Sequence, residues 1–358
     1  MIRVAILDDY ARVVPGMADW SLLDGRCELD FFDQPVGSID EAAVALEPYH
    51  VLCHLRERTA MPRALIERLP NLRLVTITGH EHRTLDIAAA TARGVIVSHA
   101  VTRQGSGQAQ GTPELVFGLA LALARRIPFE DRRLRDGHWQ STVGTTLWGK
   151  TLGLVGLGRV GQRVAQIGAA FGMKVVAWSE NLTADRAAAA GVRLVSKDEL
   201  FATSDVVSLH LVLGERSRGV VGARELGLMK ATAVLINAAR GPLVDEAALV
   251  AALSGRRIGG AGLDVFWREP MPAGHPLTKL DNVVLTPHLG YVVEESFRPF
   301  YEDTVENIAA WLDGKPIRVV NPDVLGALGA AAGKLSADLL DAGRSGSAPR
   351  AGHRSTDR

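Results

Sequence analysis

Cysteine is nearly absent. The 358-residue chain holds two, Cys27 and Cys53, too few for a disulfide framework, and no CxxC or Cys/His spacing suggests a metal site. The expected setting is therefore a reduced compartment, the cytoplasm. Charge of one sign is also lacking. Forty Lys and Arg face forty Asp and Glu, which removes long-range attraction for nucleic acid or an anionic membrane, so neither is expected as a partner. No apolar run reaches spanning length: Leu115–Ala124 stops at Arg125 and Arg126, where about 20 residues are needed. The opening MIRVAILDDY, with two Asp and no cleavage site, does not read as a secretory signal. What remains is 47% hydrophobic and 22% charged, a globular composition whose length suits two domains.

Short branched runs alternate with amphipathic stretches along the first hundred residues. Val4–Asp9, Leu29–Phe32, Val51–Leu55, Leu72–Thr78 and Gly94–His99 read as strands, with helices over Asp40–Glu47, Pro62–Arg68 and Thr84–Arg93. Such alternation predicts a parallel sheet covered on both faces. After a Gly/Gln/Ser-rich break at Ser106–Gly111, the spacing predicts a helix over Pro113–Arg126. A second array begins at Thr151, with strands at Leu152–Val155, Lys174–Trp178, Val206–Leu211, Ala233–Asn237, Ala261–Val265 and Val283–Leu285. Six strands suit a doubly wound nucleotide-binding domain. Glu294–Leu312 reads as a further helix stopped by Asp313-Gly314. The tail, 323–358, is Ala/Gly-rich and ends in GRSGSAPRAGHRSTDR, which lacks the apolar surface to offset ordering entropy; it is expected to be disordered.

The most specific local motif is Gly156, Gly158 and Gly161 in GxGxxG spacing, between the strand Leu152–Val155 and a helix carrying Val160, Val164 and Ile167. Gly156 permits a tight turn, Gly158 admits a pyrophosphate against backbone, and Gly161 allows helix to pack on strand. Arg159 and Val160 open the helix whose free N–H groups would meet the diphosphate. At the end of the next strand, an inward Glu180 would repel a 2′-phosphate and favour NAD; Ser179 facing the ribose alone would admit NADP.

Three polar groups fall at downstream strand ends: Arg240 in LINAARGP, Glu269 in LDVFWREP and His288 in LTPHLG. In open α/β sheets that edge holds the ligand crevice, so all three can reach one cleft. Guanidinium offers paired donors for a planar carboxylate, imidazole is suited to proton transfer near neutral pH, and a neighbouring carboxylate favours imidazolium.

With these residues in place, the stretches GKTLGLVGLGRVGQRVA, LHLVLGERSRGVVG, LMKATAVLINAARGPLVDEAALVAAL, GLDVFWREP and LTPHLG resemble the D-isomer-specific 2-hydroxyacid dehydrogenases, from about residue 51 to 321. The resemblance implies two doubly wound parallel-sheet α/β domains, a Rossmann cofactor domain (103–291) inserted in a flavodoxin-like substrate domain split between 1–102 and 292–322. It implies hydride transfer between NAD (NADP left open) and a 2-hydroxy or 2-oxo acid. Arg240 would bind the substrate carboxylate and carbonyl, His288 would be the acid/base, and Glu269 would pair with it. Asp264 and Gly290 would stand near the nicotinamide, Ala238 and Ala239 would line the cofactor, and the chain would form a homodimer. A dinucleotide-sensing binding protein of the same fold is the alternative. One departure concerns the substrate loop, usually GxGxD/N, which here reads TGHEHRTLD. Gly79, His80 and Glu81 would still offer backbone there, with Arg58 adding positive charge. His80-x-His82 reads as a polar loop, since no companion ligand set is visible. Trp148 reads as core packing.

Overall fold

Branched and leucine-rich runs of four or five residues form the inner strands of the first sheet, because a parallel sheet buried on both faces takes apolar residues at successive positions, whereas the edge strand Cys27–Phe31 (CELDF) stays partly exposed. The computed structural model describes residues 1–79, 82–101 and 110–326, which fall into two units, 1–101 with 297–326, and 110–296. In the first unit β1 (Ile2–Ile6), β2 (Cys27–Phe31), β3 (Val51–His54), β4 (Leu74–Ile77) and β5 (Ile96–His99) are parallel, in the order β2-β1-β3-β4-β5. Helices Ile39–Leu46, Arg63–Ile66 and Ile87–Ala92 connect them. The first carries a capping box, Ser38 with Glu41, which satisfies two helix-start donors at once.

The C-terminal part of the chain returns to this sheet. Phe300, Tyr301, Val305 and Ile308 of helix Glu294–Leu312 are buried, and Asn321 bonds the backbone of Val95 and Val97 beside β5. Val324 is fully buried too. The tail expected to be disordered from 323 is thus packed at its start, and 327–358 lie outside the described residues.

The second unit holds seven parallel strands: β6 (Thr151–Val155), β7 (Lys174–Trp178), β8 (Arg193–Leu194), β9 (Val206–Leu209), β10 (Val234–Asn237), β11 (Gly260–Leu263) and β12 (Val283–Leu285). Their order is β12-β11-β10-β9-β6-β7-β8, so the winding reverses between β6 and β9. At two residues, β8 is too short to leave a periodic signal, which is why six strands were expected.

Two other expectations fail here. The helix expected through Arg126 ends at Ala124; Arg126 turns left-handed (φ 51°) and a separate helix runs over Ile127–Arg135. Trp148, expected in the core, is 77% exposed. Among the described residues no helix is long and apolar enough to cross a membrane.

Candidate active site

The glycine loop follows β6 at the reversal of strand order, where α/β sheets form their crevice. Gly156 has φ +105°, and a Cβ there would press within 2.8 Å of the His210 backbone carbonyl. A Cβ at Gly161 would strike the Gly156 carbonyl oxygen. Gly158 differs: nothing lies within 4 Å of its Cβ position, and it caps helix Arg159–Ala170 without any side-chain hydrogen bond. The loop is therefore closed towards the protein and open outward, with first-turn N–H groups on the open side, a fit for a dinucleotide diphosphate. Arg159 is exposed and Val160 half-buried at that helix start. Beneath the loop His210 is half-buried with its Nε2 shut off from solvent, and that loss of hydration pushes its imidazole down to about 4. Beyond β7, Ser179 is half-buried and Glu180 exposed.

Three neighbouring strands carry the remaining groups at the same edge. Register pairs Asn237 of β10 with Leu263 of β11, and Leu263 with Leu285 of β12. Past β10, the buried Asn237 donates from Nδ2 to the Arg240 carbonyl (2.9 Å) and accepts the Ala239 N–H (3.1 Å), which curls Ala238–Arg240 into a fixed turn. Arg240 is half-buried, with Nη1 donating to the Ala239 carbonyl at 2.7 Å.

Past β11, Asp264 is wholly buried. Its Oδ1 accepts the Thr286 hydroxyl (2.6 Å) and the Leu289 N–H (2.7 Å), and its Oδ2 accepts the Gly290 N–H (2.9 Å). Burial pushes this carboxyl upward against the pull of those three bonds. The carboxylate thus holds the loop past β12, where His288 adopts φ +57°. Thr112 fastens the loop from the other side, its hydroxyl donating to the Gly290 carbonyl at 2.8 Å.

Within this frame His288 Nδ1 lies 2.6 Å from Glu269 Oε2, and Glu269 Oε1 accepts the Phe266 N–H at 2.8 Å. The Tyr291 ring meets the imidazole edge-on at 5.3 Å. A carboxylate, an imidazole and a guanidinium at the ends of adjacent strands can bind a planar anion and move one proton.

In the other unit Gly79 follows β4 with φ +90°, its α-carbon covered by the Arg56 guanidinium. Arg58 is half-buried, its guanidinium 5.1 Å from the Tyr10 ring centre. Close by, Asp8 accepts the hydroxyls of Tyr10 (2.8 Å) and Thr59 (3.0 Å). These residues follow β1 and β3, between which that sheet's winding reverses. His80 and Glu81 lie outside the described residues. His82, expected on a polar loop, is instead buried edge-on against His54 at 5.1 Å. No grouping of three metal-ligating side chains occurs among the described residues.

Sequence reasoning missed Asn237, Thr286, Thr112, Arg56 and His210. Asn237 and Thr286 stand within three residues of Arg240 and His288, a faint signal. Thr112 and His210 act across long sequence separations and left none.

Residues 117–290 match the profile of the D-isomer specific 2-hydroxyacid dehydrogenase, NAD binding domain. The chain is 38% identical over 289 residues to a D-3-phosphoglycerate dehydrogenase of Mycobacterium tuberculosis, covering 80% of this chain and 53% of that protein. It thus spans about half the length of the phosphoglycerate dehydrogenases it matches. To a glyoxylate reductase of Aeropyrum pernix it is 36% identical over 297 residues, covering 78% and 88% respectively. A solved phosphoglycerate oxidoreductase from Vibrio cholerae superposes with a TM-score of 0.82 at 34% identity, covering 88% of this chain and 100% of that one. The chain belongs to the D-isomer specific 2-hydroxyacid dehydrogenase family.

Proposed function

We propose that the chain is an NAD-dependent dehydrogenase that interconverts a small 2-oxo acid and its 2-hydroxy acid. The observation that carries this reading is the 2.6 Å pair between His288, past β12, and Glu269, which follows β11 as Asp264 does, beside the β10 end that bears Arg240. NAD, when bound, supplies or accepts the hydride. Arg240 holds the substrate carboxylate through its planar fork and draws the carbonyl into line. As the carbonyl oxygen gains charge, His288 delivers a proton from Nε2, because Nδ1 is engaged by Glu269; oxidation returns the proton by the same path. Asp264 and Gly290 keep that loop in place beside the nicotinamide end, and Ala238 and Ala239 line the cofactor. Gly156, Gly158, Arg159, Val160 and Gly161 receive the diphosphate. The match to an NAD binding domain supports NAD over NADP, and a Glu180 carboxylate turned to the ribose would disfavour a 2′-phosphate.

The unit bearing Gly79, His80, Glu81 and Arg58 is assigned to the substrate, and its relatives' names suggest acids of the glyoxylate or phosphohydroxypyruvate kind. The two cysteines are free, in keeping with a cytoplasmic setting. Exposed Ile127, Leu134, Trp139 and Val143 support a homodimer through the 110–296 unit. Sedimentation of Leu134→Asp against the parent chain tests this, with loss of dimer expected.

The function is tested by following NADH and NADPH oxidation with glyoxylate, hydroxypyruvate, pyruvate and phosphohydroxypyruvate. At least one acid should turn over with NADH. His288→Gln should lower kcat by about 10²-fold or more while NADH binding, read by fluorescence, persists. Arg240→Lys should raise KM at least tenfold, since the bidentate fork is lost. Binding of NADH with no oxidation of any acid would instead make the chain a dinucleotide sensor.

A further inference from the structure

Between β11 and the short turn Pro276–Lys279, residues 264–275 form neither helix nor strand. Glu269 stands in the middle of them, its carboxylate held by the Phe266 N–H and facing His288. Such a segment has no hydrogen-bond ladder of its own to fix a side chain, so a packed neighbour has to supply the rigidity. Three contacts identify that neighbour. A Cβ on Gly241 would strike the Phe266 carbonyl and the Trp267 nitrogen, so the Phe266–Trp267 peptide lies directly on the residue that follows Arg240. The half-buried Trp267 donates from Nε1 to the Val244 carbonyl at 2.7 Å. Further along, His275 Nδ1 accepts the Leu277 N–H at 3.3 Å, which leaves the ring proton on Nε2, 2.7 Å from Glu246 Oε1. The imidazole of His275 lies parallel to the indole, with centroids 6.5 Å apart.

Gly241, Val244 and Glu246 all follow Arg240 within one short stretch, and that stretch is itself anchored. Val221 donates its N–H to the Leu243 carbonyl at 3.1 Å, and Asp245 donates to the Val221 carbonyl at 2.9 Å. Arg240 is held separately, through the two bonds of Asn237. The loop of Glu269 is thus fastened at both ends, by Trp267 before the carboxylate and by His275 after it, to the segment that carries the guanidinium.

We propose that Trp267 is a positioning residue that ties the proton-transfer pair to the carboxylate-holding arginine. Its indole bond to Val244 sets the rotation of the ring as well as its depth, which a ring that only fills space does not require. The Phe266 backbone, pressed between that ring and Gly241, then aims its N–H at Glu269 Oε1, and Glu269 in turn aims the His288 imidazole. Proton delivery depends on this chain because a small misplacement of a reacting group is enough to slow it. The inference rests on the reading of Arg240 as carboxylate holder and His288 as acid/base, and adds the residue that keeps the two in register.

The experiment replaces Trp267 by Phe in the full chain, which keeps an aromatic ring beside His275 and removes the N–H. With the acid that the parent chain turns over, kcat should fall about fivefold or more. KM for that acid should stay within about twofold, since Arg240 keeps its own fastening, and NADH affinity by fluorescence should hold. In a Glu269→Gln background the same replacement should change kcat by less than about twofold, because it acts through that carboxylate. A reading without turnover comes from the His288 ring nitrogens in ¹⁵N-histidine protein: the Nδ1 resonance of Trp267→Phe should move towards that of Glu269→Gln. Glu246→Ala, on an exposed carboxylate, should move kcat and the resonance the same way by a smaller amount, and decides alone if Trp267→Phe does not fold. An unmoved resonance, an unchanged kcat, or equal falls in both backgrounds overturns the proposal. If the parent chain turns over no acid, the reading of function fails, and the Nδ1 resonance still decides whether Trp267 positions the pair.

Discussion

Glu269 grips His288 at one end and its own backbone at the other: Oε2 reaches His288 Nδ1 at 2.6 Å while Oε1 takes the Phe266 N–H at 2.8 Å. The imidazole orientation therefore depends on a carboxylate that is itself fixed. Glu269→Gln replaces one acceptor oxygen by a donor, which can meet Nδ1 only when that nitrogen carries no proton, so the imidazolium loses its support. The expected outcome is a fall in kcat of at least about tenfold with NADH affinity unchanged, measured by steady-state kinetics and fluorescence titration. Unchanged kcat would mean that the pair is ornamental to the chemistry.

Asp264 offers a second test. Its three bonds all serve the loop from Thr286 to Gly290. Asp264→Asn turns an amide donor towards at least one of those donors. Stability should fall by about 1–3 kcal/mol, read by urea unfolding. Turnover should fall as well, because His288 loses its left-handed anchor.

The glycine motif separates ligand space from packing space. Gly158→Ala enters open space, so the unfolding midpoint should hold while NADH affinity drops at least tenfold, the added methyl standing where the diphosphate approaches. Gly161→Ala strikes the Gly156 carbonyl and should cost about 1–3 kcal/mol of stability. Equal effects of both substitutions on folding would contradict this division.

Acid should destabilise the fold through desolvated histidines. Loss of hydration pushes His210 down to about 4, His54 well below 6.5 and His82 below it as well. Each is neutral when folded but takes a proton when unfolded below pH 6.5, so the unfolded state binds more protons there. Stability is whole above pH 6.5 and declines as pH falls towards 4, with about 3 kcal/mol from His210 alone. Asp8 and Asp264, raised by burial, act oppositely, stabilising the fold less as pH rises above the ordinary carboxyl range. Urea unfolding at pH 7.5, 6 and 5 should show the decline, and His210→Gln should shrink it.

Local patterns in the sequence were sufficient for most of the elements. Strands β6, β7 and β12, helix Glu294–Leu312 and the GxGxxG turn follow from short-range periodicity, and the triad of Arg240, Glu269 and His288 from strand-end position and residue chemistry. Trp148 was misread and the helix after Arg126 went unforeseen, because exposure and the left-handed turn depend on what lies alongside in space. The same holds for His82, whose polarity suggested a loop while its packing against His54 makes it core.

Residue type and spacing alone determined that this chain is built of parallel sheets, turns on a dinucleotide-type glycine loop, and carries a base, a carboxylate and a guanidinium past successive strands. Only the tertiary structure decided that Asp264 holds the loop of His288 and that Glu269 takes the Phe266 N–H together with the imidazole. The physical reason is that a side chain's chemistry is local, whereas its hydrogen-bond partners are drawn from strands and helices that folding alone brings within 3 Å.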